Sequence, residues 1–424
     1  MSDVSPPPPA TSAGAGHPGG RLLAAGLGHE GQVPGILMAA EGERVVAVAA
    51  GDRHSLALTE DGRLLAAGLD DHAQVTGIFA AARGLRLAAV AAGGSHSLAV
   101  TADGRLLAAG DDRNHQVTGI REAARGRKVT GADCGAVHLL AVTEEGDLLA
   151  AGHDGDGQVA GIRAAARGHR VVAAAAGDFH SLAVTEDGRL LGSGRDDDQQ
   201  VSGLLAAAEG HKVVAVAAAA LQSLAVTEDG RILAAGHDAH HQVSGILRAA
   251  QGQRVAAVAA GHLHSLALTS AGQLVGAGKD GDRQVSGLLA AAAGRRVAAV
   301  AAGGRHSLAV VAGDGPTGRT ARADFRTREG GPERALSLRL RDPRGGPDVV
   351  LTSHQGAVDF AVHEGEDVQL VVRHGEELVG RGTVRFTYDE ATRTTGIDTR
   401  ASRFPSYLTC TGHGANRFTF LWSR

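Results

Sequence analysis

At 424 residues the chain has room for a large domain and a smaller one. A net charge of −4 gives no basic field for nucleic acid. Nowhere does an apolar run approach the ~18–20 residues of a membrane-spanning helix, and Cys134 and Cys410 are too few for a disulfide framework, which points to the cytoplasm.

The first stretch, MSDVSPPPPATSAGAGHPGG, has no charged n-region leading into an apolar h-region, so it does not read as a secretory signal. Its Pro/Gly/Ser/Ala content predicts a disordered tail over residues 1–19. From there to about residue 312 one pattern repeats every 42 residues. Its clearest copy, Arg44 to Gly68, reads RVVAVAAGDRHSLALTEDGRLLAAG and is followed by a polar loop and QVTGI. The same beat sets His54, His96, His138, His180, His264 and His306, with Gln222 in the departing slot. A glutamine (Gln32, Gln74, Gln116 and onward to Gln284) and the glycine closing each LLAAG keep time with them. An ungapped period of about 40 residues means stacked or radial units.

Four segments per repeat have strand character: VVAVAAG, HSLALT, RLLAAG and QVTGI. TEDG between the second and third predicts a tight hairpin, because Asp-Gly supplies the positive φ it needs. The AAxG that follows reads as a helical turn or loop ending on a left-handed glycine. Four strands in about 42 residues is the signature of a propeller blade. The first complete copy starts at Arg44, yet RLLAAG (21–26) and QVPGI (32–36) precede it. The last copy has only RVAAVAAG (296–303) and HSLAVV (306–311). Joining the two orphan halves closes a seven-bladed ring and removes the free sheet edges. The small residues of VAVAAG suit the crowded innermost strand, and the Leu-rich segments suit the interfaces between blades.

GDGPTG (313–318) is linker chemistry, and beyond it the pattern becomes two-residue alternation. Candidate strands are 322–327, 335–341, 348–353, 358–363, 367–374, 382–388 and 416–422. They predict a β-sandwich-like domain over 319–424, an accessory binding or oligomerisation module. The predicted class is all-β throughout.

The run AAGxxHSLALTxDGRLLAAG, followed by GQ or its variants, closely resembles the repeats of the regulator of chromosome condensation family over about 290 residues. QVxG(I/L) after the loop is closer to bacterial members, among them the propeller-type beta-lactamase inhibitory proteins. The resemblance implies a seven-bladed propeller whose closure is shared by the chain ends, and a role in binding proteins. One departure is systematic. Where the family has Trp-Gly at the end of the third strand, this chain has Ala-Gly, as at Ala67-Gly68 and Ala109-Gly110. Residues 20–312 contain no tryptophan, which excludes light sensing by tryptophan clusters. The strict spacing leaves no room for the inserted wedge on which the family's nucleotide-exchange activity depends.

Variable positions carry the functional expectation. Each LLAAG is followed by a five-residue loop, and a closed ring gathers all seven into one rim rich in Asp and His. The residues expected to meet a partner are His29 and Glu30; Asp70, Asp71 and His72; Asp112, Arg113 and His115; His153, Asp154 and Asp156. The remaining loops add Arg195, Asp196 and Asp197; His237, Asp238 and His240; and Lys279, Asp280, Asp282 and Arg283. A second variable pair precedes each HSL slot, including Asp52-Arg53, Asp178-Phe179 and His262-Leu263. Loops on a rigid frame are where binding usually lives. Asp154-x-Asp156 and Asp280-x-Asp282 have the alternate spacing of calcium ligands but lack the distal glutamate. His237, His240 and His241 need a further ligand to hold zinc. Six equivalent His-Ser pairs do not make a nucleophile and its base, and adjacent strand residues face opposite ways. The histidine is expected to hydrogen-bond within its own blade. The reading is a non-enzymatic protein-binding scaffold with no cofactor, metal, nucleic acid or membrane partner. The alternatives are a metal-dependent lyase or hydrolase at the Asp/His loops, and a proteinaceous enzyme inhibitor.

Overall fold

A computed structural model describes residues 19–312 in full and, beyond them, the backbone of the strands between 319 and 422. The chain divides near residue 313 into two compact units. The expected linker, and all of the expected tail except Gly19, lie outside the described residues.

The first unit is a ring of seven three-stranded antiparallel blades. Blade 1 consists of Val45–Ala50, His54–Thr59 and Leu64–Gly68, and blades 2 to 6 repeat it in order. Blade 7 joins Val297–Ala302 and His306–Val311 to the N-terminal strand Arg21–Gly26, paired in register from Arg21 opposite Val311 to Gly26 opposite His306. Both ends of the array are thereby tied into one sheet. Gly20 also bridges to Val45, carrying the chain from the closing blade to blade 1. In blade 1 the inner and middle strands slip register between Val45 and Ala47, a bulge recurring in every blade that adds local twist.

The expected fourth strand is not a strand. QVTGI opens a short helix, Thr76–Ala82 after blade 1, with equivalents of six to eight residues after every blade. Val75, Ile78 and Ala82 stand at i, i+3 and i+7, the spacing of one helix face. The Ile or Leu of this segment (Ile36, Ile78, Ile120, Ile162, Leu204, Ile246, Leu288) is fully buried in all seven copies. Ile78 packs among Leu56, Leu58 and Leu64 of its own blade and Leu87, Val90 and Ala99 of the next. The helix thus wedges two blades together where the sequence pattern predicts a fourth strand.

Middle strands are buried along their whole length. They feed seven apolar clusters, each drawing on neighbouring blades, as the Leu-rich pattern predicts. The Ala-rich inner strands converge on the axis. At the TEDG turn Gly62 has φ +85° and its N–H bonds the Thr59 carbonyl at 2.9 Å, as hairpin chemistry requires.

Among the described residues of the second unit, nine strands form two sheets. One runs Val358–Val362, Arg319–Thr327, Arg417–Trp422, Leu408–Gly412; the other Val349–Thr352, Leu336–Arg341, Asp367–His374, Glu377–Asp389, Thr394–Ile397. Strands overlap all seven segments named from alternation, and Thr394–Ile397 and Leu408–Gly412 are additional.

Candidate functional site

The propeller is fastened by a belt of polar side chains with no solvent exposure. His54 Nε2 lies 2.9 Å from Ser97 Oγ of the next blade. The same bond joins His138 to Ser181, His180 to Ser223 and His264 to Ser307, each at 2.8 Å. His306 to Ser55, 2.9 Å, closes the circle. The histidine therefore bonds between blades, correcting the expectation of a bond within each blade; since His and Ser of one strand face opposite ways, each blade reaches forward with one and is held from behind by the other. Gln222 fills the departing slot, donating from Nε2 to Ser265 Oγ at 3.0 Å and to the His264 carbonyl at 2.9 Å. One link is missing: Leu139 stands where His96 needs a serine, and the His96 Nε2 is buried without a partner. Burial pushes these imidazoles down to about 4, and to about 3 for His138 and His264, so they are neutral near pH 7.

Above the belt, both variable sets share one face. In every blade the first N–H of the five-residue loop donates to the carbonyl of the residue before the belt slot: Leu69 to Arg53 (2.9 Å), His153 to Val137 (3.0 Å), Lys279 to Leu263 (2.8 Å). Side chains also cross between the sets. Arg305 Nη2 meets Asp282 at 2.7 Å, and the His153 and Phe179 rings make an edge contact with centroids 6.2 Å apart. The seven loops and the residues of the variable pairs hold fifteen carboxylates against six Lys/Arg.

Each loop follows one internal rule. Its second residue is Asp in six copies, and that carboxylate caps the helix beyond: Asp70 Oδ1 accepts the N–H groups of Val75 (2.7 Å) and Thr76 (3.0 Å). Asp112, Asp154, Asp196, Asp238 and Asp280 do the same. For Asp70, Asp196, Asp238 and Asp280, burial tends to raise the carboxyl, but bonds from the helix hydroxyl and N–H groups hold it below its ordinary value. The buried glutamine then accepts the N–H of the fourth loop residue, as Gln74 does from His72 at 2.9 Å. The fifth residue is left-handed in every loop, from His115 at φ +54° to Gly31 at φ +82°. The seventh loop has Gly28 instead of Asp, and its helix carries Pro34, which has no N–H to cap. A Cβ at Gly28 would stand 3.0 Å from the Pro34 ring. The two departures are one compensated change.

At the axis the same face opens onto a channel of about 100 Å³, lined mainly by inner-strand Ala, Val and Gly. That volume holds several waters but not a ligand of the usual ~300–1,000 Å³ site. Four polar residues stand there. His262 Nε2 reaches across Gly304 of blade 7 to Asp52 Oδ1 at 2.7 Å. The Asp52 bond raises His262 to about 8 against the opposing effect of burial. Burial works to raise Asp52, but the His262 bond and charge hold it low. Asp178, on the far side, is raised by burial. Deeper in, Asp133 lines the channel half-buried and accepts the Ala176 N–H at 2.9 Å, and burial raises its carboxyl to about 7. Cys134 beside it is buried, and burial plus Asp133 keeps its thiol protonated. Among the described residues no three His, Cys, Asp or Glu side chains converge as a metal-ligand set. No described helix is long and apolar enough to cross a membrane.

The model of the regulator of chromosome condensation (RCC1) repeat matches residues 45–74, 88–116 and 171–200, the heart of blades 1, 2 and 4. Three of the chain's seven propeller blades carry RCC1 repeats. No curated protein sequence matches the chain. Its fold resembles that of human WBSCR16 at 18% identity and TM-score 0.58, covering 69% of this chain and 99% of that one. It also resembles Prp20p of Saccharomyces cerevisiae at 17% identity and TM-score 0.58, covering 72% and 93%; that structure is described with its binding to Gsp1p and histones. Yeast RCC1 (Prp20) with Kap60 bound gives 17% identity, TM-score 0.58, 74% and 94%.

In the propeller the named loop residues sort by their place in the five-residue loop, with His153, Arg195, His237 and Lys279 first in theirs. The six second-position aspartates are turned inward as helix caps. His29, Glu30, Asp71, His72, Arg113, Asp156, Asp197, His240 and Asp282 occupy the third and fourth positions, where no backbone group claims the side chain. Several are already neutralised within the face: Arg113 grips Asp111 with two nitrogens at 2.8 Å, and Arg195 meets Asp197 at 2.6 Å. His153 and His237 accept from Gln158 and Gln242 at 3.1 Å, so they brace their loops. His115 and Arg283 hold the left-handed fifth position. Asp52, His262, Asp178 and Asp133 were missing from the expected set. Only the first three had a signal, their place in the variable pairs.

Proposed function

We propose that the RCC1-repeat propeller is a non-enzymatic scaffold whose acidic face docks a basic surface of a protein partner. The observation that carries this is the convergence of both variable sets on one face with fifteen carboxylates against six Lys/Arg, in a chain whose net charge is only −4. A field of one sign over a rigid frame steers a complementary partner and suppresses wrong ones. The yeast relative, described with protein partners, supports a binding role for this architecture. The narrow axial channel and the use of the loop aspartates as caps weigh against a metal-dependent enzyme at the rim. We place this role in the cytoplasm, with the C-terminal unit as a second contact.

The test compares immobilised full-length chain with Asp71→Lys/Asp156→Lys/Asp197→Lys and with Glu41→Lys/Glu209→Lys/Glu228→Lys, the same charge change at the opposite side of the blades. Capture from the source lysate at about 50 mM and about 300 mM salt should weaken with salt and be lost only in the first variant. Equal capture by all three, or loss in both variants, overturns the assignment to this face.

A further inference from the structure

Away from the acidic face, a groove of about 680 Å³ opens between the hairpin turn of blade 2 and the segment entering blade 3. Its walls carry Arg105, Arg121, Arg125, Arg127 and Lys128 against Asp103 and Glu122. Arg105, Arg127 and Lys128 have exposed partners, Asp103 at 3.1 Å, Asp147 at 2.9 Å and Glu144 at 3.7 Å. The side chains of Arg121 and Arg125 are exposed and make no hydrogen bond or ion pair among the described residues. They stand four apart on one helix and its following turn, a like-charge arrangement that costs stability. The repeat does not demand the pair: the position of Arg121 is apolar in five other copies, as Leu37, Phe79, Leu205, Leu247 and Leu289, and the pair recurs once, as Arg163 and Arg167.

We propose that this groove binds a small ligand carrying several phosphate groups. Guanidinium forks grip phosphate oxygens with paired, charge-assisted bonds, and two forks without partners sit where one compact anion reaches both. Size favours a small ligand, since the volume lies within the ~300–1,000 Å³ of small-molecule sites. Charge distribution agrees. A long polyanion needs a continuous cationic track, whereas here Asp103 and Glu122 stand in the walls and Glu144, Glu145 and Asp147 follow in the next turn. A fenced pocket accepts a short anion and repels an extended one.

Isothermal titration of the full-length chain with inositol hexakisphosphate, and with inorganic pyrophosphate, tests this at about 100 mM salt. One site is expected, weakened at least about tenfold in Arg121→Gln/Arg125→Gln and unchanged in Arg248→Gln/Arg254→Gln, which removes equal charge from the blade 6 side. Vesicles bearing a phosphoinositide headgroup distinguish a lipid from a soluble source: binding competed by the soluble hexakisphosphate assigns the same groove to the headgroup. No heat of binding, equal weakening in both double variants, or tighter binding of a 20-base-pair duplex than of the hexakisphosphate overturns the proposal. Each substitution is at an exposed side chain, and matching thermal midpoints exclude misfolding as the cause.

Discussion

Blade 5 differs from the other six at two coupled places: Gln222 replaces the belt histidine, and Ala219 replaces the glycine three residues before it. The geometry of blade 1 explains the pairing. Gly51 has no unusual φ, so only space restricts it, and a Cβ there would stand 2.5 Å from His54 Cε1 and 2.4 Å from the Gly93 carbonyl oxygen. The ring cannot retreat, because Ser97 holds its Nε2 at 2.9 Å within a fully buried site. Gly51→Ala is therefore an overpacking change costing ~1–3 kcal/mol. His54→Gln removes the ring while keeping a donor for Ser97, as Gln222 does for Ser265, and leaves a small void worth ~1 kcal/mol. The double variant places a methyl group where the ring edge was and reproduces blade 5. It should be less destabilised than the sum of the single changes by ~1–2 kcal/mol, within the range of contacting pairs. The assay is a double-mutant cycle by urea unfolding, with thermal midpoints as a check. Additivity within ~0.5 kcal/mol would refute the reasoning and leave Ala219 and Gln222 as unrelated substitutions.

The remaining predictions concern charge. Belt histidines with depressed values bind protons only when unfolded, so their stability is lost as pH falls from about 6.5 toward 4; His54→Gln should flatten that slope by one proton, read from melting midpoints against pH. His262 is raised to about 8, so its contribution is full below about 6.5 and disappears as pH rises through 8; His262→Ala and Asp52→Asn should each abolish that loss. Asp133, raised to about 7, disfavours the folded state once ionised, so Asp133→Asn should raise the midpoint at pH 8 and change nothing at pH 4. Among loop carboxylates, Asp196→Ala removes a helix cap and should cost ~0.5–2 kcal/mol, whereas Asp71→Ala should stay within ~0.5 kcal/mol.

What could be read in the sequence, and what could not, follows from the kind of information each residue carries. His54, Gly68 and Gln74 recur at fixed spacing, so ring closure between Arg21–Gly26 and His306–Val311 was visible as two halves of one unit. QVTGI alone is too short to show the helix; its spacing appears only across Val75, Ile78 and Ala82, with Asp70 as a cap five residues upstream. Alternation showed that His54 and Ser55 face opposite ways but not which blade each would meet. The Asp52–His262 bond was beyond reach, because it depends on blades 1 and 6 leaning across Gly304. The pairs Ala219–Gln222 and Gly28–Pro34 are legible in the sequence as joint departures, each within a single copy of the repeat.

Those joint departures bear on where recognition can reside. In each loop the second residue is committed to the helix, the fourth N–H to the buried glutamine, and the fifth residue to a left-handed backbone. His153 and His237 at position one brace their loops as well, so the side chains at positions three and four are the ones left without a structural task. Changing them leaves cap, belt and wedge untouched, which is why Asp71-His72, Arg113-Asn114 and Asp197-Asp198 differ so widely above an invariant frame. Exchanging positions three and four of the blade 2 loop for Asp71-His72, as Arg113→Asp/Asn114→His, should leave the thermal midpoint within a degree or two while replacing a guanidinium donor on the face by a carboxylate. A large fall in stability would mean that the Arg113 grip on Asp111 is part of the frame, and the division between scaffold and recognition surface would have to be redrawn at that loop.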